Sequence, residues 1–279
     1  MVSFLVIVAV FAIVQFWGPV TSLHRDQWWQ RWAGQVNGWK LSAEISLLLQ
    51  VLVPVLLVWW LLALVESWSS WLLLLISIPM LLYCLGRGDF TPWVKGYLEA
   101  SRRQDNEVAA EYAQRLGVDT DPLNGWADLH RAVLRRIAYG ALERMFVAIF
   151  WFFLLGIAGA LLYRLAVFAR DEPDNSEAVR LLAARLCWLM EWPVIRVLGL
   201  SLALTGNYMG GYYALSNRCF SFDCASEDAL ESMVHGALNV NSSELTQEGI
   251  TEQEVEVVQP LLSRTLILWL CVLGLISVF

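Results

Sequence analysis

The sequence predicts an all-α integral membrane protein, with about four to six membrane helices and additional amphipathic cytoplasmic or interfacial helices. Three observations carry this. Hydrophobic residues make up 58% of the 279 residues and charged ones only 16%, against about 45–50% and about 25% in soluble domains. Long uncharged runs recur along the chain. Fifteen tryptophans supply amphipathic rings of the kind that collect where hydrocarbon meets water. A net charge of −7 leaves no basic footprint of the kind a nucleic-acid partner needs.

A spanning helix needs about 20 predominantly apolar residues. Residues 2–17 are uncharged, lack the basic leader and cleavage site of a signal peptide, and read as a retained helix. Residues 45–65 are long enough to cross, with Pro54 as an internal kink. Residues 68–86 follow after Glu66-Ser67, a connection so short that it predicts an antiparallel hairpin of two spanning helices. Residues 145–163 form the fourth segment, in which Gly156, Ala158, Gly159 and Ala160 allow close helix packing. Residues 186–206 are apolar on average but carry Glu191, Pro193 and Arg196. A charge at bilayer depth costs about 2.5–3.5 kcal/mol on insertion scales, so this segment is either interfacial or buried among helices. Residues 265–279 are short for a span.

The connections set orientation. Residues 87–144 hold nine Lys and Arg, and Arg25, Arg31 and Lys40 lie in the 20–40 connection, so both are expected in the cytoplasm with an outward amino terminus. Residues 207–262 hold only Arg218 against nine acidic residues and have no such anchor. The chain therefore divides into membrane helices over 1–86, a cytoplasmic amphipathic region over 87–144, a membrane or interfacial core over 145–206, an acidic region over 207–262 and a C-terminal helix over 263–279.

Within the polar regions, Asp105 is placed to cap a helix over Val108–Leu116 that ends at Gly117, and a turn at 122–125 precedes an amphipathic helix over Trp126–Tyr139. Ser176 is placed to cap a helix beginning at Glu177, and residues 226–238 read as a short helix with an acidic first turn. Residues 206–217, rich in Gly and Tyr, read either as a loop lining a pocket or as an interfacial tyrosine belt.

Chemistry-bearing motifs are sparse. The three histidines lie far apart, with no metal-ligand spacing, phosphate loop or nucleophile elbow, so neither a metal nor a cofactor is expected and no catalytic residue is assigned. Of the five cysteines, Cys219 and Cys224 have a spacing that permits a bridge only in an oxidising compartment, and free thiols are expected. The strongest polar constellation is Tyr163, Arg164, Arg185, Trp188, Glu191, Trp192 and Arg196, with Tyr208 beyond it. Arg185, Trp188, Trp192 and Arg196 share one helical face that can present guanidiniums and rings to an anionic ligand. The structural reading pairs Arg164 with Glu191 and lets the other side chains reach lipid headgroups.

The blocks FWFFLLGIAGALLYR (150–164) and AARLCWLMEWPVIRV (183–197), in this order and spacing, resemble those of the AmpE and CobD/CbiB-like membrane proteins. YLEASRRQDNEVAAEYAQRLGV (97–118) and GALNV (236–240) extend the resemblance over most of the chain, and it is nearest to AmpE. It implies a CobD/CbiB-like fold in the bacterial inner membrane. For AmpE it implies a sensor or modulator of β-lactamase induction linked to peptidoglycan recycling, with a small anionic or muropeptide-like ligand or a protein partner. The CobD enzymes join aminopropanol to a corrinoid carboxylate. This chain departs from them at Val167-Phe168-Ala169, Cys187-Trp188 and Ser226-Glu227-Asp228, where their acidic and amide groups are missing. The runner-up expectation is an enzyme of that fold with an altered substrate.

Overall fold

The computed structural model describes residues 2–17, 26–68, 70–86, 90–121, 125–218, 225–238 and 251–278. Among them the chain is helical throughout and contains no strand. Its helices are α1 (Val2–Trp17), α2 (Gln27–Gly38), α3 (Ala43–Trp68), α4 (Ser70–Cys84), α5 (Thr91–Arg102), α6 (Asn106–Arg115), α7 (Trp126–Ala141), α8 (Val147–Asp171), α9 (Glu177–Thr205), α10 (Tyr208–Arg218), α11 (Ser226–Leu238) and α12 (Glu252–Val278), with a π-helical turn over Leu142–Phe146 between α7 and α8. Four stretches are long and apolar enough to cross a membrane: Ala43–Val65, Trp126–Asp171, Glu177–Thr205 and Glu252–Ser277. The chain is an all-α membrane protein.

The residues fall into two compact units, the first built from 1–88, 143–192 and 273–279 and the second from 89–142 and 193–272. In the first unit, α3 turns Leu56, Leu57, Trp59 and Trp60 outward, all more than half exposed. Water would leave that area uncompensated and hydrocarbon does not, so the exposed apolar faces are lipid-facing surface. Polar groups on these helices turn inward. Gln50, fully buried on α3, exchanges hydrogen bonds with Asn175, its Nε2 donating to Oδ1 at 3.0 Å and its Oε1 accepting from Nδ2 at 3.2 Å. Gln50 also donates to Asn37 Oδ1 at 2.9 Å, Asn37 donates to Asn175 Oδ1 at 2.9 Å, and Asn175 Nδ2 reaches the Ala169 carbonyl at 2.9 Å. Three amides thereby tie α2, α3 and the α8–α9 turn together.

Segment 145–163 is apolar as expected, but it does not run straight. Gly156 has φ 66° and ψ −156°, a conformation essentially restricted to glycine, and there α8 folds back on itself. A straight helix would place Glu143 and Arg170 about 40 Å apart; instead Arg170 Nη2 lies 3.5 Å from Glu143 Oε1. The two arms, 147–155 and 157–171, form a helical hairpin with both ends on one side. The small residues serve the apex: a Cβ at Gly159 would stand 2.6 Å from the Trp151 carbonyl oxygen.

Three further expectations change. The C-terminal helix begins at Glu252 rather than near residue 265, so α12 has 27 residues and ample length to cross. Residues 186–206 are the later part of the 29-residue helix α9, which passes from the first unit to the second after Trp192. The Gly- and Tyr-rich stretch is the helix α10 rather than a loop. The amphipathic α2, with Trp29, Ala33 and Val36 buried on one face, was not anticipated within the 20–40 connection.

In the second unit, Asp105 caps α6, its Oδ1 accepting from Val108 N at 3.2 Å, and Gly117 follows with φ 88°. Ser176 caps α9 in the first unit through Val179 N at 3.4 Å. The acidic α11 lies against the basic α7: Arg135 meets Glu227 at 2.9 Å and Asp228 at 2.8 Å, and Arg131 meets Glu231 at 3.0 Å. Arg102 on α5 likewise meets Glu252 and Glu256 on α12 at 3.1 and 2.8 Å. These ion pairs join α11 and the start of α12 to the arginine-bearing α5 and α7 within the second unit. His235 Nδ1 lies 2.9 Å from Glu254 Oε1, joining α11 to α12. Cys84 and Cys187 are buried free thiols and Cys271 is an exposed one, while Cys219 and Cys224 lie outside the described residues.

Two measurements check these features. Gly156→Ala should destabilise the detergent-solubilised protein by about 1–3 kcal/mol, because a Cβ is strained at that backbone conformation, whereas Gly34→Ala, with open space around it, should leave Tm unchanged or slightly raised. The hydrogen bond to Glu254 raises the His235 pKa above its ordinary 6.5. A raised folded pKa stabilises fully below the unfolded value and the benefit disappears as pH rises through the folded one. Tm should therefore fall between about pH 6 and pH 8 by more in the wild type than in His235→Gln.

Candidate functional site

The α8 hairpin brings the YR pair of the first block beside the Glu of the second. Tyr163 on the returning arm, 1% exposed, donates its hydroxyl to Glu191 Oε1 at 2.8 Å, and Glu191 is 2% exposed. On the entering arm, Trp151 Nε1 donates to the Met190 carbonyl at 3.1 Å. Both arms therefore dock on one turn of α9, a buried carboxylate between them and an aromatic donor on each side. The buried Glu191 carboxyl thus has a hydrogen-bond donor in the Tyr163 hydroxyl, as buried polar groups require.

The expected pairing of Arg164 with Glu191 does not occur. Tyr163 occupies the glutamate, and Arg164, one residue on, points to a different face of the arm. Its Cζ lies 4.4 Å from the centre of the Phe168 ring, one turn further along α8. It is 8% exposed, and its Nε has no hydrogen-bond partner. No ion pair joins it to an acidic group among the described residues. Consecutive residues of a helix lie about 100° apart around its axis, which follows from 3.6 residues per turn, so Tyr163 and Arg164 cannot serve one partner.

Arg164 sits instead in an aromatic and polar cluster of the first unit. Trp29 on α2 packs on the same Phe168 at 5.5 Å between ring centres. Tyr83 on α4 is within electrostatic reach of Arg164; its hydroxyl donates to Asp26 Oδ1 at 3.2 Å and accepts from Trp28 Nε1 at 3.0 Å. Of the remaining expected site residues, Arg185 is exposed on α9, and Trp188 and Trp192 are half-buried. Arg196 is half-buried in the second unit, and Tyr208, also of that unit, is exposed and stacks on Tyr212 at 5.7 Å. The structure joins Tyr163 directly to Glu191 and gives Arg164 a different set of neighbours.

Trp29, Phe168 and Tyr83 were absent from the sequence-based set. Phe168 was visible as the fourth residue after Arg164, the spacing that stacks side chains on one helical face. Trp29 and Tyr83 come from helices distant in the chain, and nothing local announces their approach.

The second unit holds a smaller buried cluster. The Tyr97 hydroxyl and His130 Nδ1 lie 2.7 Å apart, and Trp126 stacks on the imidazole at 5.6 Å. Burial raises the Tyr97 pKa far above its usual value, so the hydroxyl stays protonated and shares a hydrogen bond with Nδ1. That contact locks α5 to α7. Among the described residues no group of three or more His, Cys, Asp or Glu is arranged to hold a metal ion.

No protein-family model, curated protein or solved structure matches this chain.

Removing the Tyr163 hydroxyl tests the hairpin's docking contact. Tyr163→Phe should cost about 1–3 kcal/mol by stripping a donor from a buried carboxylate, and Glu191→Gln, which keeps an acceptor for Tyr163, should cost less. Thermal unfolding of the purified variants measures both.

Proposed function

We propose that this chain is a bacterial inner-membrane regulatory protein that modulates β-lactamase induction in connection with cell-wall recycling, acting by binding a small ligand or a protein partner. The observation that carries the ligand-binding part is the buried polar site of the first unit, where the α8 hairpin holds Tyr163 and Glu191 in contact and leaves Arg164 charged and enclosed. Ionisable residues at membrane depth are functional candidates by default, because their cost is tolerated only for a purpose. The resemblance of the 150–164 and 183–197 blocks to AmpE supports the regulatory part.

The arginine-rich α7 and acidic α11 offer a charged surface on which a partner would act. Arg135, about one third exposed, bridges Glu227 and Asp228 there. Exposed ion pairs of this kind contribute only about 0–1 kcal/mol to folding, so they can be exchanged for a partner's charges at little cost.

A chromosomal β-lactamase reporter tests this reading in cells challenged with an inducer that releases cell-wall fragments. Deleting the gene should shift the induction level or threshold. Expressing the wild-type chain should restore it, and Tyr163→Phe or Arg164→Gln at equal membrane abundance should restore it less. Induction curves unchanged by deletion would refute the regulatory role.

A further inference from the structure

We propose that Arg164 and Trp29 form a buried oxyanion site that takes the phosphate or carboxylate group of an anionic amphiphile or of a soluble ligand. The proposal rests on the ligand-binding reading above and specifies its chemistry.

Two unmet donors define the site. Arg164 is 8% exposed with its Nε unpartnered, and Trp29 is 1% exposed with its Nε1 unpartnered. Both touch Phe168, the guanidinium at 4.4 Å and the indole at 5.5 Å. The guanidinium carbon and the indole centre are therefore at most 9.9 Å apart, the two distances laid end to end. Phe168 contributes the electron-rich face that steadies the cation, but a ring face does not satisfy the in-plane N–H donors of a guanidinium.

An arginine in this position has no escape by titration. A buried lysine or carboxylate can become neutral, whereas a guanidinium stays protonated under all conditions in proteins. An unpaired buried charge is strongly unfavourable. Asp26, which shares Tyr83 with Arg164 as an electrostatic neighbour, has its Oδ1 engaged by the Tyr83 hydroxyl at 3.2 Å, and among the described residues no ion pair joins an acid to Arg164. The charge balance and the spare donors call for the same occupant, an anion with two or more acceptor oxygens. The planar fork of Arg matches carboxylate and phosphate geometry, and the unpartnered Trp29 indole N–H is a further donor beside the same Phe168 ring. The apolar and aromatic surroundings, Phe168 and Trp29, suit a ligand whose anionic group is joined to an apolar body.

The test uses the purified full-length chain in a neutral detergent and follows thermal unfolding without added anion, with inorganic phosphate, with phosphatidylglycerol, or with the uncharged lipid monoolein. Phosphate or phosphatidylglycerol should raise Tm in a saturable way and monoolein should not. Stabilisation by phosphatidylglycerol alone assigns the site to a lipid headgroup; stabilisation by phosphate assigns it to a soluble ligand. Arg164→Gln should abolish the response and, without added anion, should be at least as stable as the wild type. Trp29→Phe keeps the ring and removes only the donor, so it should fold and bind about tenfold more weakly, as the loss of one charge-assisted hydrogen bond implies. The proposal is overturned if neither anion stabilises the wild type, if monoolein does so equally, or if Trp29→Phe responds with unchanged affinity. Because the assay involves no cell, a negative result here leaves the induction phenotype standing, and a flat induction curve leaves anion binding standing.

Discussion

The reversal at Gly156 is the constraint on which the first unit depends. An α-helix satisfies its own backbone, which is why apolar segments cross membranes as helices. At Gly156 that hydrogen-bond ladder is interrupted, with the glycine half-buried, open space around it and Leu154 and Leu155 beside it exposed. The arms approach closely at Gly159, Trp151 and Tyr163 anchor them to α9, and Arg170 with Glu143 closes the open end. With a straight α8, Tyr163 and Trp151 would not reach adjacent residues of one α9 turn from opposite arms. The neighbours of Arg164 follow from that geometry, since the returning arm carries Phe168 against Trp29 of α2 and Arg164 within electrostatic reach of Tyr83 on α4.

Most buried polar groups of this unit obey one rule. Gln50, Asn37 and Asn175 share their donors and acceptors among themselves and with the Ala169 carbonyl, and Glu191 is held by Tyr163. Against that background the unpaired Arg164 and Trp29 stand out. In an apolar environment an unmet donor costs free energy comparable to a lost hydrogen bond, and an unmet charge costs more. A chain that satisfies a buried amide triad to the last donor has little reason to leave a buried guanidinium Nε and an indole N–H unmet, unless an acceptor arrives from outside.

Much of this was legible in the sequence, and the exceptions share a physical origin. Helix existence followed from uncharged runs and from local caps: Asp105, Ser176 and the span 226–238 emerge as read, because capping and periodicity are decided within a few residues. The hairpin in α8 was not legible, because Gly156 in an apolar run signals close packing and chain reversal alike, and only φ at that residue tells them apart. The start of α12 was obscured by charge, since Glu252, Glu254 and Glu256 read as part of the acidic region over 207–262 until Arg102 and His235 are seen to meet them. The expected Arg164–Glu191 pair failed for a related reason. Opposite charges at matching depth suggest pairing, but helix phase gave the glutamate to Tyr163, and whether two side chains share a face across helices is set by packing that no local window contains.

The hairpin is tested most directly by a distance. In a background with its five cysteines replaced, spin labels at positions 143 and 170 should report one short, narrow separation by pulsed electron resonance, because a folded-back α8 holds its two ends together. A distribution centred near 40 Å, the span of an unbroken helix of about that length, would contradict the reversal at Gly156 and with it the account of the Arg164 site.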